Sequence, residues 1–68
     1  MTVLILKNKN IVEMRGSTSG GDYIIKHIGQ EIGTYELNKS AVLKTVYNQE
    51  NTSNLKSTLI NKYPEYFV

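Results

Sequence analysis

The segment from Tyr23 to Leu37, YIIKHIGQEIGTYEL, predicts a β-hairpin around which the rest of the chain is arranged. Its two apolar parts, Tyr23–Ile28 and Ile32–Leu37, place successive side chains on opposite faces, as β-strands do. The Gly29–Glu31 segment between them predicts the turn, because glycine adopts the backbone conformations that tight turns require. Since both faces carry apolar side chains, we expect one face to pack on the remaining chain and the other to stay partly exposed.

The residues before this hairpin predict a second one. Thr2–Leu6 is rich in β-branched and aliphatic residues, which indicates a strand that is covered on both faces. Lys7–Asn10 has the asparagines that are typical of a turn, and Ile11–Arg15 follows as another strand. Gly16–Asp22, GSTSGGD, has the composition of a flexible loop and matches neither the P-loop pattern nor the dinucleotide-binding pattern.

The segment Asn38–Asn48, NKSAVLKTVYN, is compatible with a helix or a strand. Its two valines, threonine and tyrosine favour a strand. A helix would instead gather its apolar residues into one stripe, made of Val42, Leu43, Val46 and Tyr47. We favour the helix because this spacing fits the helical period better than the strand period.

The segment Ser53–Tyr63 predicts a C-terminal helix. Ser53 is a suitable N-cap, and Pro64 ends the helix because the residue before a proline is disfavoured in the helical conformation. The apolar stripe of this helix consists of Leu55, Leu59, Ile60 and Tyr63. The apolar tail Glu65–Val68 then either folds back onto the sheet or is presented to a partner.

These segments predict one small α+β domain over residues 1–68. We expect an antiparallel meander of about four strands, followed by one or two helices packed on one face. A domain of this size with a single core is stable by only about 3–5 kcal/mol, so binding or self-association would stabilise it further.

The composition narrows the classes of function. The chain has no cysteine, one histidine and one aspartate, which argues against a disulfide or a structural metal site. We also expect no cofactor. Its net charge of +2 permits contact with phosphates without requiring it. No apolar run approaches the roughly 18 residues of a membrane span, and the first residues lack the pattern of a signal peptide. We therefore expect a cytoplasmic protein.

The sequence offers no pattern for catalysis. His27, with Ser17, Ser19 and Asp22 near it in sequence, is a poor candidate for a nucleophile and base, because triads are defined by geometry and no motif supports one here. The glutamates are scattered and form no acid–base pair at helical spacing. We expect a protein that binds rather than an enzyme.

The aromatic residues favour a protein partner, and we expect the function to be protein binding. The chain has five tyrosines and one phenylalanine, and tyrosine is enriched at interfaces. The contact candidates are Tyr35, Tyr63, Tyr66 and Phe67, with the Gly16–Asp22 loop as an adaptable rim. The partner is another protein or a second copy in a homodimer, and an exposed strand edge at Thr2–Leu6 or Ile32–Leu37 would suit either. A small regulator or inhibitor of phage or mobile-element type fits the size and composition by analogy.

A nucleic-acid partner is the alternative. Tyrosines on a sheet face stack on unpaired bases, and lysines follow the phosphate backbone. The residues that would do so are Tyr23, Lys26, Tyr35, Lys39 and Lys44.

Overall fold

The computed structural model describes residues 1–30 and 33–68, and in this part of the chain five antiparallel strands form one sheet in the order β4-β3-β2-β1-β5. One α-helix follows the sheet. The strands are β1 (Thr2–Leu6), β2 (Ile11–Ser17), β3 (Tyr23–Lys26), β4 (Tyr35–Leu37) and β5 (Val42–Val46), and the helix is α1 (Leu55–Lys62). Short 3₁₀ turns span Lys39–Ala41 and Pro64–Tyr66. The predicted α+β fold with an antiparallel meander and a C-terminal helix is confirmed, with one strand more than expected.

Strand β1 lies inside the sheet and is buried on both faces. It pairs with β2 on one side and with β5 on the other. Val3 and Ile5 face the helix, whereas Leu4 and Leu6 face the opposite side of the sheet, and all four are buried. The prediction that this strand is covered on both faces is confirmed, but the suggestion that Thr2–Leu6 offers an exposed edge is wrong.

The helix predicted within Asn38–Asn48 is wrong, because this segment forms a 3₁₀ turn and then strand β5. The side chain of Asn38 accepts a hydrogen bond from the Ser40 amide and so begins the turn. The strand then pairs with β1, with Val46 opposite Val3. If this segment were a helix, the backbone N–H and C=O groups on the side of β1 that faces away from β2 would have no partners in the sheet. The need to pair these groups outweighs the helical spacing of the apolar residues.

The sheet is strongly curled. Strand β4 ends beside the start of β3, and strand β5 begins beside the end of β1. The connection from β4 to β5 therefore has to join opposite edges and opposite ends of the sheet. In a flat sheet four strand spacings alone would separate them by about 19 Å. The four connecting residues include a 3₁₀ turn and reach only about 15 Å, so the sheet must curl to bring its edges together.

Two apolar clusters fill the two sides of this sheet. The inner cluster, inside the curl, contains buried Leu4, Leu6, Val12 and Ile25, with Met14, Tyr23, Leu37 and Val42 packed around them. The helix-side cluster contains buried Val3, Ile5, Val46, Leu55 and Leu59. Because residues of β4 and β5 both pack on the inner cluster, burial of this cluster stabilises the curl.

The hairpin of β3 and β4 is present, with Ile25 opposite Tyr35 and Tyr23 opposite Leu37. Both strands are shorter than predicted, since β3 ends at Lys26 and β4 begins at Tyr35. Gly29 and Gly33 in the connection have positive φ angles of 92° and 99°, which glycine adopts without strain. Glu31 of the predicted turn and Ile32 of the predicted strand lie outside the described residues.

Helix α1 packs its Leu55 and Leu59 side chains on the sheet, as the apolar spacing predicts. It begins one residue later than the predicted Ser53 cap, with Asn54 at the N-cap position. It ends before Pro64, as expected. Neither this helix nor either 3₁₀ turn in the described ranges has the length and apolar character needed to cross a membrane.

Replacing Leu59 and Ile60 separately tests how the helix packs. Leu59 is 0% exposed and Ile60 is 38% exposed. We expect Leu59→Ala to reduce the free energy of unfolding by about 2–5 kcal/mol, which is most of the stability of a domain this small. Ile60→Ala should change it by no more than about 1 kcal/mol, because Ile60 is only partly covered and alanine's higher helix propensity offsets part of the lost burial. Urea unfolding followed by circular dichroism measures both; equal losses would contradict this packing.

Candidate functional site

A cleft of about 400 Å³ lies between the sheet and the start of helix α1. Its apolar floor is formed by Ile11 at the start of β2, Ile28 after β3, and Leu55 at the start of the helix. Ile11 and Ile28 pack against the helix-side cluster while remaining partly exposed, and Leu55 is a buried member of that cluster. The volume falls within the range of about 300–1,000 Å³ found for ligand pockets.

The rim of the cleft is polar and comes from three separated parts of the chain. It consists of Asn10, His27, Thr52, Ser53 and Lys56. The Thr52 hydroxyl donates to Oδ1 of Asn54 at 3.0 Å, which connects the rim to the first residues of the helix. Among the described residues of the rim, Lys56 is the one lysine, and its side chain is exposed. The cleft therefore combines an apolar floor with hydrogen-bonding groups and one permanent positive charge.

His27 connects the cleft to an exposed tyrosine. The Tyr35 hydroxyl and Nε2 of His27 share a hydrogen bond, and the centroids of the two rings lie 5.1 Å apart. Tyr35 is 42% exposed at the edge strand β4, so its ring stays accessible while the histidine holds its hydroxyl. Of the four protein-contact candidates, Tyr35 is the one that lies beside the cleft.

The other three candidates are Tyr63, at the end of α1, and Tyr66 and Phe67, in the tail that folds back on the protein. All three are partly buried against the helix-side cluster. The Tyr63 and Tyr66 rings pack edge to face with centroids 6.4 Å apart. The ammonium groups of Lys44 and Lys62 lie 5.7 and 5.5 Å from the centroid of the Tyr63 ring, so this ring also makes cation–π contacts. The tail thus completes the core, which was one of the two outcomes expected for it.

The tail and its last residue give a test of this packing. Phe67 packs on the helix-side cluster, whereas Val68 is 93% exposed. We expect Phe67→Ala to lower the free energy of unfolding by about 1–3 kcal/mol, less than for a fully buried phenylalanine. Val68→Ala should leave it unchanged within about 0.5 kcal/mol. Thermal melting with both variants checks this; an unchanged melting temperature for Phe67→Ala would place the ring outside the core.

The nucleic-acid candidates do not form one surface. Tyr23 packs on the inner cluster, whereas Lys26 lies on the opposite face of the sheet, across from Glu13. The Lys39 backbone amide bonds the Asp22 carboxylate at 3.4 Å, on the loop between β2 and β3. Lys44 lies on β5 beside Tyr63, at the other edge of the sheet from Tyr35.

The residues weighed for catalysis are also separate. The Asp22 carboxylate accepts its hydrogen bond from Lys39, and His27 bonds Tyr35. Within residues 1–30 and 33–68, no hydrogen bond joins His27 to Ser17, Ser19 or Asp22. The same ranges contain no group of three or more histidine, aspartate or glutamate side chains suited to a metal ion.

No local pattern of residues predicts the cleft. Its lining comes from residues 10–11, 27–28 and 52–56, which only the fold brings together. Tyr47, which follows β5, is 69% exposed. In the predicted helix, Tyr47 belonged to the buried stripe, so the wrong element assignment concealed its exposure.

Comparison with known proteins finds no match: no family model fits the chain, and no curated protein or solved structure is significantly similar to it. The site must therefore be interpreted from its own geometry and chemistry.

Proposed function

We propose that this chain is a non-enzymatic binding protein that takes an apolar side chain of a protein partner into the cleft between the sheet and helix α1. It would act in the cytoplasm as a small regulator or inhibitor. The single observation that carries the proposal is the cleft itself, with three aliphatic side chains on its floor and polar groups around its rim.

Burial of apolar surface supplies the driving force for such binding. Ile11 and Ile28 are only partly covered within the chain, so an inserted aliphatic or aromatic side chain would remove further apolar surface from water. Complete burial of one such side chain contributes about 1.5–3 kcal/mol. Hydrogen bonds from the rim would then fix the orientation of the partner's backbone.

Tyr35 supplies a second contact next to this anchor point. Its ring is exposed, and the hydrogen bond to His27 restricts its orientation before any partner arrives. A side chain that is already ordered loses less entropy on binding. Tyr63, Tyr66 and Phe67 would have to leave the helix-side cluster to contact a partner, so we do not include them in the proposed surface.

Neither edge strand of the sheet is well suited to pairing with a strand of the partner, so we expect the partner to bind through its side chains. At the β4 edge the strand has only three residues. At the β5 edge there is an irregularity in the pairing with β1, and Lys44 lies within the strand. Short edge strands, bulges and edge lysines all oppose pairing with a further strand. We therefore expect a second copy of the chain to bind through the cleft rather than by strand pairing.

A matched pair of serine substitutions tests the proposal. Ser53 lines the cleft, whereas Ser57 is an exposed residue of α1 that is not among the lining residues. A phage-displayed library of random peptides is panned on the wild-type protein, and the affinities of enriched peptides are measured by fluorescence anisotropy. We expect Ser53→Phe to weaken these peptides by about tenfold or more, because the new ring fills the cleft.

The control variant Ser57→Phe should leave their affinity within about twofold. Melting curves show whether both variants are folded. Failure to enrich any peptide, or equal losses for the two variants, would contradict the proposed function. Tight binding of a single-stranded oligonucleotide by the wild-type protein, with no peptide enriched, would instead favour the nucleic-acid alternative.

A further inference from the structure

Resting on the proposed function above, we infer that the partner segment carries a carboxylate next to its apolar anchor, so that the ligand of the cleft is an acidic, apolar peptide. The observation behind this inference is the charge of the rim. Lys56 contributes a positive charge, and no aspartate or glutamate is among the lining residues that the structure describes.

Lys56 has no competing carboxylate within the described ranges. The one ion pair found there joins Arg15 and Glu13 at 3.1 Å, on strand β2. The charged residues of helix α1 are Lys56 and Lys62, and no acidic side chain lies in the helix to neutralise either of them. A carboxylate of the partner could therefore pair with the Lys56 ammonium group without breaking an ion pair within residues 1–30 and 33–68.

A hydroxyl group on the same rim adds a hydrogen-bond donor for a carboxylate. In the described part of the chain, the Ser53 hydroxyl takes part in no hydrogen bond, and it lines the same cleft. A carboxylate accepts hydrogen bonds through both oxygens, so one can meet Lys56 while the other meets a hydroxyl. Bonds between charged groups become stronger when the partner covers them and excludes water.

The chemistry of the cleft favours a peptide over a nucleic acid. Single-stranded nucleic acid requires a row of cations for its phosphates and aromatic faces for its bases. The described lining of this cleft has one lysine on its rim and an aliphatic floor of Ile11, Ile28 and Leu55. One carboxylate and one apolar side chain match these features, and both occur together in acidic peptides.

The first measurement is the composition of the enriched peptides described above. We expect them to carry an aliphatic or aromatic residue with an aspartate or glutamate close to it in sequence. For one such peptide, Lys56→Gln should weaken binding by about threefold to tenfold and make the affinity less dependent on salt. Lys62→Gln, a control on the same helix that does not line the cleft, should stay within about twofold.

A double-mutant cycle then identifies the pair of charges. Replacing the peptide's acidic residue by its amide should weaken binding to the wild-type protein but not to Lys56→Gln, because the two groups act on each other. Peptides that bind through the cleft, lose affinity with Ser53→Phe and ignore Lys56→Gln would overturn the inference while leaving the proposed function intact. Peptides that ignore Ser53→Phe would overturn the proposed function itself.

Discussion

Burial of strand β1 on both faces is the constraint on which the rest of the structure depends. Covering one face of the sheet would bury only two of the strand's four consecutive apolar side chains, because alternate side chains of a strand point to opposite faces. The sheet curls to cover Leu4 and Leu6, and the helix covers Val3 and Ile5. Strand β5 then supplies backbone partners for the side of β1 that β2 leaves open. A short chain without disulfides thereby obtains two apolar clusters from one strand.

The position of the cleft follows from the way in which the helix covers one face of β1. Leu55 and Leu59 fix the helix over strands β1 and β5, where Val3, Ile5 and Val46 lie. The helix begins beside Ile11 and Ile28 without covering them completely, so its first residues and these two isoleucines enclose a space. Because the burial of Leu55 sets the rotation of the helix, the next residue, Lys56, lies at the rim. The position of the candidate site is thus a consequence of core packing.

The aromatic residues are divided between core and surface in a way that composition does not reveal. Tyr63, Tyr66 and Phe67 cover the helix-side cluster, and Tyr23 covers the inner one. Tyr35 and Tyr47 remain exposed, so the expectation of accessible aromatic surface applies to these two residues rather than to the tail. Pro64 accounts for the course of the tail, since it ends the helix and begins a 3₁₀ turn that directs Tyr66 and Phe67 back onto the protein.

The sequence by itself determined the elements whose patterns are local. The apolar run of β1, the β3–β4 hairpin, the Leu55–Leu59 spacing of the helix and its end before Pro64 all follow from side-chain periodicity and backbone preference. Only the tertiary structure decided that Val42–Val46 is a strand, because the unpaired edge of β1 outweighs a helical spacing of apolar residues. It also decided where the cleft lies. Side chains from three distant segments line it, and their proximity depends on the curl of the sheet and the docking of the helix, which no local pattern encodes.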